Sequence, residues 1–266
     1  MRMYPLYEFP QSLTQLTQLL HLIEKVQPIN KIEAVSLVEK LYGKRNSRSE
    51  ITIRNLRDLG VLSGYKNIML SSETQLYLDM NKNLSQLLLF FIYKKNDLFR
   101  LCNDLYTIKD FMELDNPELL NALYSIGYQR EKLATGREKI YAIKRLVSCC
   151  IDINFQGLNP FESYLLYREF IKALQESYFD LSHGNFGEAI AITSMRDYMI
   201  KKQQCSSTEQ FQKFIQSLYS DIILSRNVSF TTANVEFAGL GYHEINGTNY
   251  YFIKLLSHIT EEDTLF

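Results

Sequence analysis

The chain has 266 residues, 46% hydrophobic and 22% charged, a balance that suits several small folded cores and excludes a fibrous or largely disordered polypeptide. Its net charge of -1 excludes a global electrostatic pull toward nucleic acid, so any phosphate-binding face has to be local. The most apolar run, from Leu87 to Tyr93, is too short to span a bilayer, and MRMYPLYEFPQSL holds no apolar run of signal-peptide length; no membrane partner and a cytoplasmic location are expected.

Leucine and isoleucine at 13, 16, 19, 20 and 23 follow the 3-4 spacing of an amphipathic helix that ends near Pro28. A second helix fits Lys31 to Tyr42, with Ile32, Val35, Leu37, Val38 and Leu41 apolar and Gly43 placed to stop it. After the basic turn KRNSR, Ser49 is the expected N-cap of a third helix in which Ile53, Leu56 and Leu59 pack inward and Gly60 ends the run. Two short apolar runs then flank Ser63, Gly64, Lys66 and Asn67, which predicts a small hairpin.

The middle of the chain opens with a long apolar helix expected from Leu84 to about Leu105. Asn116-Pro117 then marks the start of another. Thr135, Gly136 and Arg137 predict a tight turn before a helix with Ile140, Ile143, Leu146 and Val147 on one face. A helix from Pro160 to about Phe179 and a loop over Ser182 to Gly187 begin the final third. Two further helices follow, the second with Phe211, Phe214, Ile215 and Leu218 inward. The chain closes with a hairpin from Tyr242 to Leu255 that turns at Asn246-Gly247, a pair suited to two successive positive φ angles.

Ser49, Thr52, Ile53, Leu56, Leu59 and Gly60 carry a resemblance to the bacterial winged helix-turn-helix pattern, in which a recognition helix runs into a hairpin wing. The stretch around Thr135 to Val147 resembles a second helix-turn-helix, and the C-terminal part resembles the terminal winged-helix modules of multi-domain bacterial proteins, some found in restriction and anti-phage loci. The resemblance implies a mainly α fold of tandem helix-turn-helix units of winged type with short β-hairpin wings. It implies a winged-helix domain over 1–80, a middle helix-turn-helix domain over 81–158 and a C-terminal winged-helix domain over 159–266.

Charge distribution says which unit faces phosphate. Lys40, Lys44, Arg45, Arg48, Arg54 and Arg57 stand against Glu50 alone, and Arg130, Lys132, Arg137, Lys139, Lys144 and Arg145 against Glu131 and Glu138, whereas from Asp180 onward there are six basic and ten acidic residues. Helical geometry turns Arg54 and Asp58 outward, with Glu50 and Ile51 beside them and Arg57 on the flank. A reader of duplex DNA would set Arg54 on a guanine edge and Lys44, Arg45 and Arg48 on phosphates. In the second helix-turn-helix stretch the outward set is Arg137, Glu138, Tyr141 and Arg145, with Lys144 flanking. The first of these faces reads equally as a solvated basic face on a protein-docking domain, and the second reads rather as a plain solvated helix face, because no wing follows it to add backbone contacts. The C-terminal hairpin has no cation at its tip, and Tyr250 and Tyr251 are its expected contact residues for a protein partner or self-association.

No catalytic residue, metal ligand set or cofactor is expected. Cys102, Cys149, Cys150 and Cys205 lack CxxC spacing, the four histidines are scattered, and no phosphate loop or nuclease-type E-x-K pair on strands is present. The expected role is a non-enzymatic DNA-binding or scaffolding protein, as in a bacterial defence or regulatory complex. The alternative is a subunit of a restriction-type nuclease whose catalytic site is unrecognised or supplied by a partner.

Overall fold

A computed structural model describes residues 6, 8–43, 46–80, 82, 84–128, 137–151, 159–221, 224–233 and 241–259. The chain is mainly helical, with small antiparallel sheets, and it divides into two compact units, Met1–Ser163 and Tyr164–Phe266.

In the first unit, Ser12 caps α1 (Leu13–Val26) by accepting from the Gln15 amide, and Leu16, Leu19, Leu20 and Ile23 form its buried stripe. The pair Ile29–Asn30 is a short strand, β1. Asn30 and Glu33 form a reciprocal capping box on α2 (Lys31–Tyr42), which ends where Gly43 turns left-handed at φ 61°. Ala34, Val35 and Val38 are buried, whereas Ile32 is 82% exposed. Helix α3 spans Asn46–Leu59 and begins ahead of the expected start. Ser49 is thus no N-cap: it lies inside the helix, fully buried, on the stripe of Thr52, Ile53, Asn55, Leu56 and Leu59.

Gly60, at φ 108°, ends α3. Strands β2 (Leu62–Ser63) and β3 (Asn67–Leu70) then pair antiparallel with Leu62 opposite Leu70, forming the expected hairpin, and β1 joins on the far side of β3 with Ile29 opposite Ile68. The sheet order is β1-β3-β2. Helix α4 (Ser72–Asp79) follows, capped by Ser71, where no helix was expected.

The expected long helix from Leu84 to Leu105 is two helices, α5 (Leu84–Tyr93) and α6 (Asn96–Thr107). Leu84–Ile92 is buried nearly all round, whereas α6 buries one face through Leu98, Phe99, Leu101, Cys102 and Leu105. A turn at Lys94-Lys95 lets the second helix fold back on the first, and Tyr93 meets Phe99 edge-on at 5.3 Å. Helix α7 (Asn116–Ser125) starts with Asp115 and Glu118 in a capping box and a proline in the first turn. Helix α8 (Arg137–Cys150) packs against α5, α6 and α7 and buries Ile140, Ile143, Leu146 and Val147. Arg137 belongs to that helix, and the expected turn residues Thr135 and Gly136 lie outside the described residues. No strand occurs among the described residues of 81–158.

Helix α9 (Pro160–Leu181) runs across the division, and in the second unit it buries Tyr167, Phe170, Ile171, Leu174 and Tyr178. Next come β4 (Ile190–Ala191), α10 (Ile192–Lys201), α11 (Thr208–Ser220, capped by Ser207) and β5 (Val228–Thr231). The C-terminal hairpin is β6 (His243–Ile245) paired with β7 (Thr248–Tyr250), and its turn holds Asn246 at φ 51° and Gly247 at φ 78°. The expected hairpin is longer than the observed one. Phe252–Leu255 form a separate strand, β8, that pairs with both β4 and β5 because Ile253 and Leu255 are core residues of that sheet. Its order is β4-β8-β5.

The two units thus repeat one plan. Each contains, in order, a helix, a two-residue strand, two helices and two strands that pair antiparallel, with the β6-β7 hairpin interposed between those two strands in the second unit, and in each three-stranded sheet the last strand lies between the other two.

Candidate nucleic-acid interface

Helix α3 and the hairpin that follows it bring together the first group of expected site residues. Arg48 and Arg54 are exposed, as are Glu50 and Asp58, while Arg57 is largely covered. Both acids of this face have cations beside them: Lys31 Nζ, from α2, lies 3.1 Å from Glu50 Oε1, and Arg57 Nη2 lies 3.3 Å from Asp58 Oδ1. Exposed pairs of this kind add little to stability, but each offsets a charge that repels phosphate. Arg48 Nε is 3.9 Å from Glu8 Oε1. Lys44 and Arg45 lie outside the described residues.

Arg57 is committed to the fold. Its guanidinium sits 4.2 Å over the Tyr65 ring in the turn between β2 and β3. Tyr65 itself is 78% exposed with Lys66 beside it, and neither is among the expected site residues. An aromatic next to a lysine at the tip of a Ser-Gly turn is the signal that could have found them.

The second group takes a different position. Lys144 Nζ donates to the Leu114 carbonyl at 2.9 Å, and Arg145 Nη1 donates to the Phe9 carbonyl at 3.2 Å and lies 3.5 Å from Glu8 Oε2. Arg145 also stacks 4.0 Å over Tyr141, and its hydrogen bonding and charge hold that phenol below the ordinary tyrosine pKa. Tyr141 is 43% exposed, but the charges of Lys144 and Arg145 are turned onto the unit's own backbone. Arg137 opens α8. Lys144 and Arg145 therefore hold the loop after α6 and the stretch before α1 more than they face solvent.

In the second unit, the Tyr250 and Tyr219 hydroxyls lie 2.8 Å apart and their rings pack with Phe230. The shared hydrogen bond raises the Tyr250 pKa. Tyr251 is held through its backbone, donating to Thr231 and accepting from Ile192, and its ring meets Tyr242, which is 52% exposed. Tyr250 is thus a contact of its own unit first, and Tyr242 is the more open aromatic. His243 is buried, and desolvation lowers its pKa.

All four cysteines are free and buried, and burial pushes the Cys102 and Cys150 thiols well above their ordinary value, which makes them poor nucleophiles. Among the described residues no group of three His, Cys, Asp or Glu side chains could hold a metal ion, and no helix is long and apolar enough to cross a membrane. His258 stacks with Phe179 and Phe186, and His21 lies 3.1 Å from Glu24. No family model, curated protein or solved structure matches the chain.

Proposed function

We propose that the chain is a tandem winged-helix protein that binds duplex DNA through α3 of the first unit and docks a protein, or a second copy of itself, through the second. The observation that carries this reading is the arrangement shared by the two units: a third helix followed by two strands that pair antiparallel in a three-stranded sheet with the last strand central, the two strands being joined by a tight turn in the first unit and by a connection carrying the β6-β7 hairpin in the second. In this arrangement α3 enters the major groove, Arg54 reaches a guanine edge, and Arg48 meets the phosphate backbone.

What supports a division of labour is the chemistry of the two third helices. Helix α3 carries Arg48, Arg54 and Arg57, and the acids Glu50 and Asp58 have cations beside them. Helix α11 carries Lys213 as its one basic residue together with Glu209, and the β6-β7 hairpin packs beside it through Tyr250 and Tyr219. The test is binding of a duplex library by the full chain at several salt concentrations. Arg54→Ala is expected to cost about 1 to 3 kcal/mol on selected sequences and to relax specificity at one position, while Arg48→Ala weakens all sequences alike and lowers the salt slope by about one. Duplex affinity that is absent, or indifferent to both substitutions, overturns the reading.

A further inference from the structure

Residues 6 and 8–11, the described residues ahead of the Ser12 cap of α1, belong to no helix or strand, yet they are tied to the first unit. Leu6 and Phe9 are fully buried. Asn55 Nδ2, from α3, donates to the Glu8 carbonyl at 2.7 Å, and Arg145 Nη1, from α8, donates to the next carbonyl, that of Phe9, at 3.2 Å. Backbone bonds on two successive residues fix where the Glu8 side chain emerges. Its carboxylate, 13% exposed, lies between Arg145 Nη1 at 3.5 Å and Arg48 Nε at 3.9 Å.

The two arginines are not equivalent. Arg145 is 16% exposed and makes a second bond to the Phe9 carbonyl, so it stays with Glu8. Arg48 is 60% exposed on the first turn of α3. A carboxylate and a phosphate both offer a guanidinium two oxygens in a fork. If Arg48 swings away, Arg145 still balances the mostly buried carboxylate, so the departure leaves no uncompensated interior charge.

We infer that Glu8 is an internal stand-in for a backbone phosphate: it occupies Arg48 in the free protein, competes with phosphate for that guanidinium, and so sets how tightly this face binds a polyanion. The inference deepens the DNA-binding reading above and rests on it for its biological setting. It makes the segment before α1 a regulator of affinity as well as a packing element.

The experiment compares the full chain with Glu8→Gln and Glu8→Asp, the second of which keeps the charge and draws it back by one methylene in case the first fails to fold. Two readouts are taken. In duplex binding at fixed salt, Glu8→Gln is expected to bind roughly threefold tighter, the scale of one exposed ion pair, with a salt slope steeper by about one; the gain disappears in Glu8→Gln/Arg48→Ala. In titration with inorganic phosphate, followed by the Arg48 Nε–H resonance, the midpoint moves to lower concentration in Glu8→Gln and by a smaller step in Glu8→Asp. A phosphate midpoint unchanged in the folded variants overturns the role of Glu8, whatever DNA does. A shifted phosphate midpoint with no duplex binding by any form leaves Glu8 in place and overturns the DNA reading instead.

Discussion

The guanidinium of Arg57 lies 4.2 Å over the ring of Tyr65, which ties the last turn of α3 to the turn of the hairpin that follows it. The ring is mostly solvent-facing, so the contact is worth about 0.5 to 1 kcal/mol. Tyr65→Ala and Arg57→Met are each expected to lower the unfolding free energy measured in urea by that order. In a double-mutant cycle they should couple by a similar amount, and additive effects would show that helix and hairpin are held independently.

Gly60 meets two demands at once. Its φ of 108° is open to glycine and strained for other residues, and a Cβ built there would lie 2.9 Å from the Phe91 ring on α5. Gly60→Ala is expected to destabilise the first unit by more than about 1 kcal/mol. Adding Phe91→Leu recovers the steric part and leaves the backbone part. Thermal unfolding of the three forms checks the order, and a neutral Gly60→Ala would contradict the close packing of α5 under the end of α3.

Much of the helical framework was legible because its signals are local. Gly43, Asn116-Pro117 and Asn246-Gly247 all act within a few residues of themselves, and the helix end, the helix start and the turn fall where they predict. Strands β1 and β4 are two residues long and exist only through partners far along the chain, so no periodicity announces them. The break at Lys94-Lys95 was hidden for a similar reason: the run through Tyr93 is apolar enough to continue as helix, and only packing against α6 makes the turn worthwhile. At the candidate interface, the outward direction of Arg54 and Asp58 followed from helical spacing. What could not be read was which cations have prior commitments, because Glu8, Leu114 and Phe9 reach Arg48, Lys144 and Arg145 from other elements.

Arg145 is expected to matter for stability. Arg145→Ala leaves the mostly buried Glu8 carboxylate short of a counter-charge and the Phe9 carbonyl short of a donor, a loss of about 2 to 3 kcal/mol after allowing for partial exposure. Lys144→Met removes one bond to the Leu114 carbonyl and should cost about 1 kcal/mol. Chemical denaturation measures both, and an Arg145→Ala protein of wild-type stability would remove the clamp from this account.

His243 gives the second unit a pH dependence of definite sign. Burial is the leading cause of its lowered pKa, with Arg196 acting the same way and the Gln212 backbone opposing. The unfolded chain binds the proton first as pH falls. Stability contributed by the neutral imidazole is therefore complete above the unfolded pKa of about 6.5 and is lost as pH falls through that value toward the folded pKa. Between about pH 7.5 and about pH 5 the wild type is expected to lose more stability than His243→Gln, the difference isolating this group from the carboxylates. Equal losses in the two proteins would place His243 in water.

Strands β5 and β8 are neighbours in their sheet, but residues 232–251 lie between them, where residues 64–66 suffice between β2 and β3. Both ends of the longer connection are anchored by the pairing of Thr231 with Phe252, and its Asn246-Gly247 tip is exposed. Lengthening an anchored connection at an exposed tip adds only a logarithmic closure entropy. The tip is accordingly a natural display point: an epitope or a dye-acceptor peptide inserted between Asn246 and Gly247 is presented to solvent while the sheet beneath it keeps its register, giving a handle on the second unit that leaves α3 untouched.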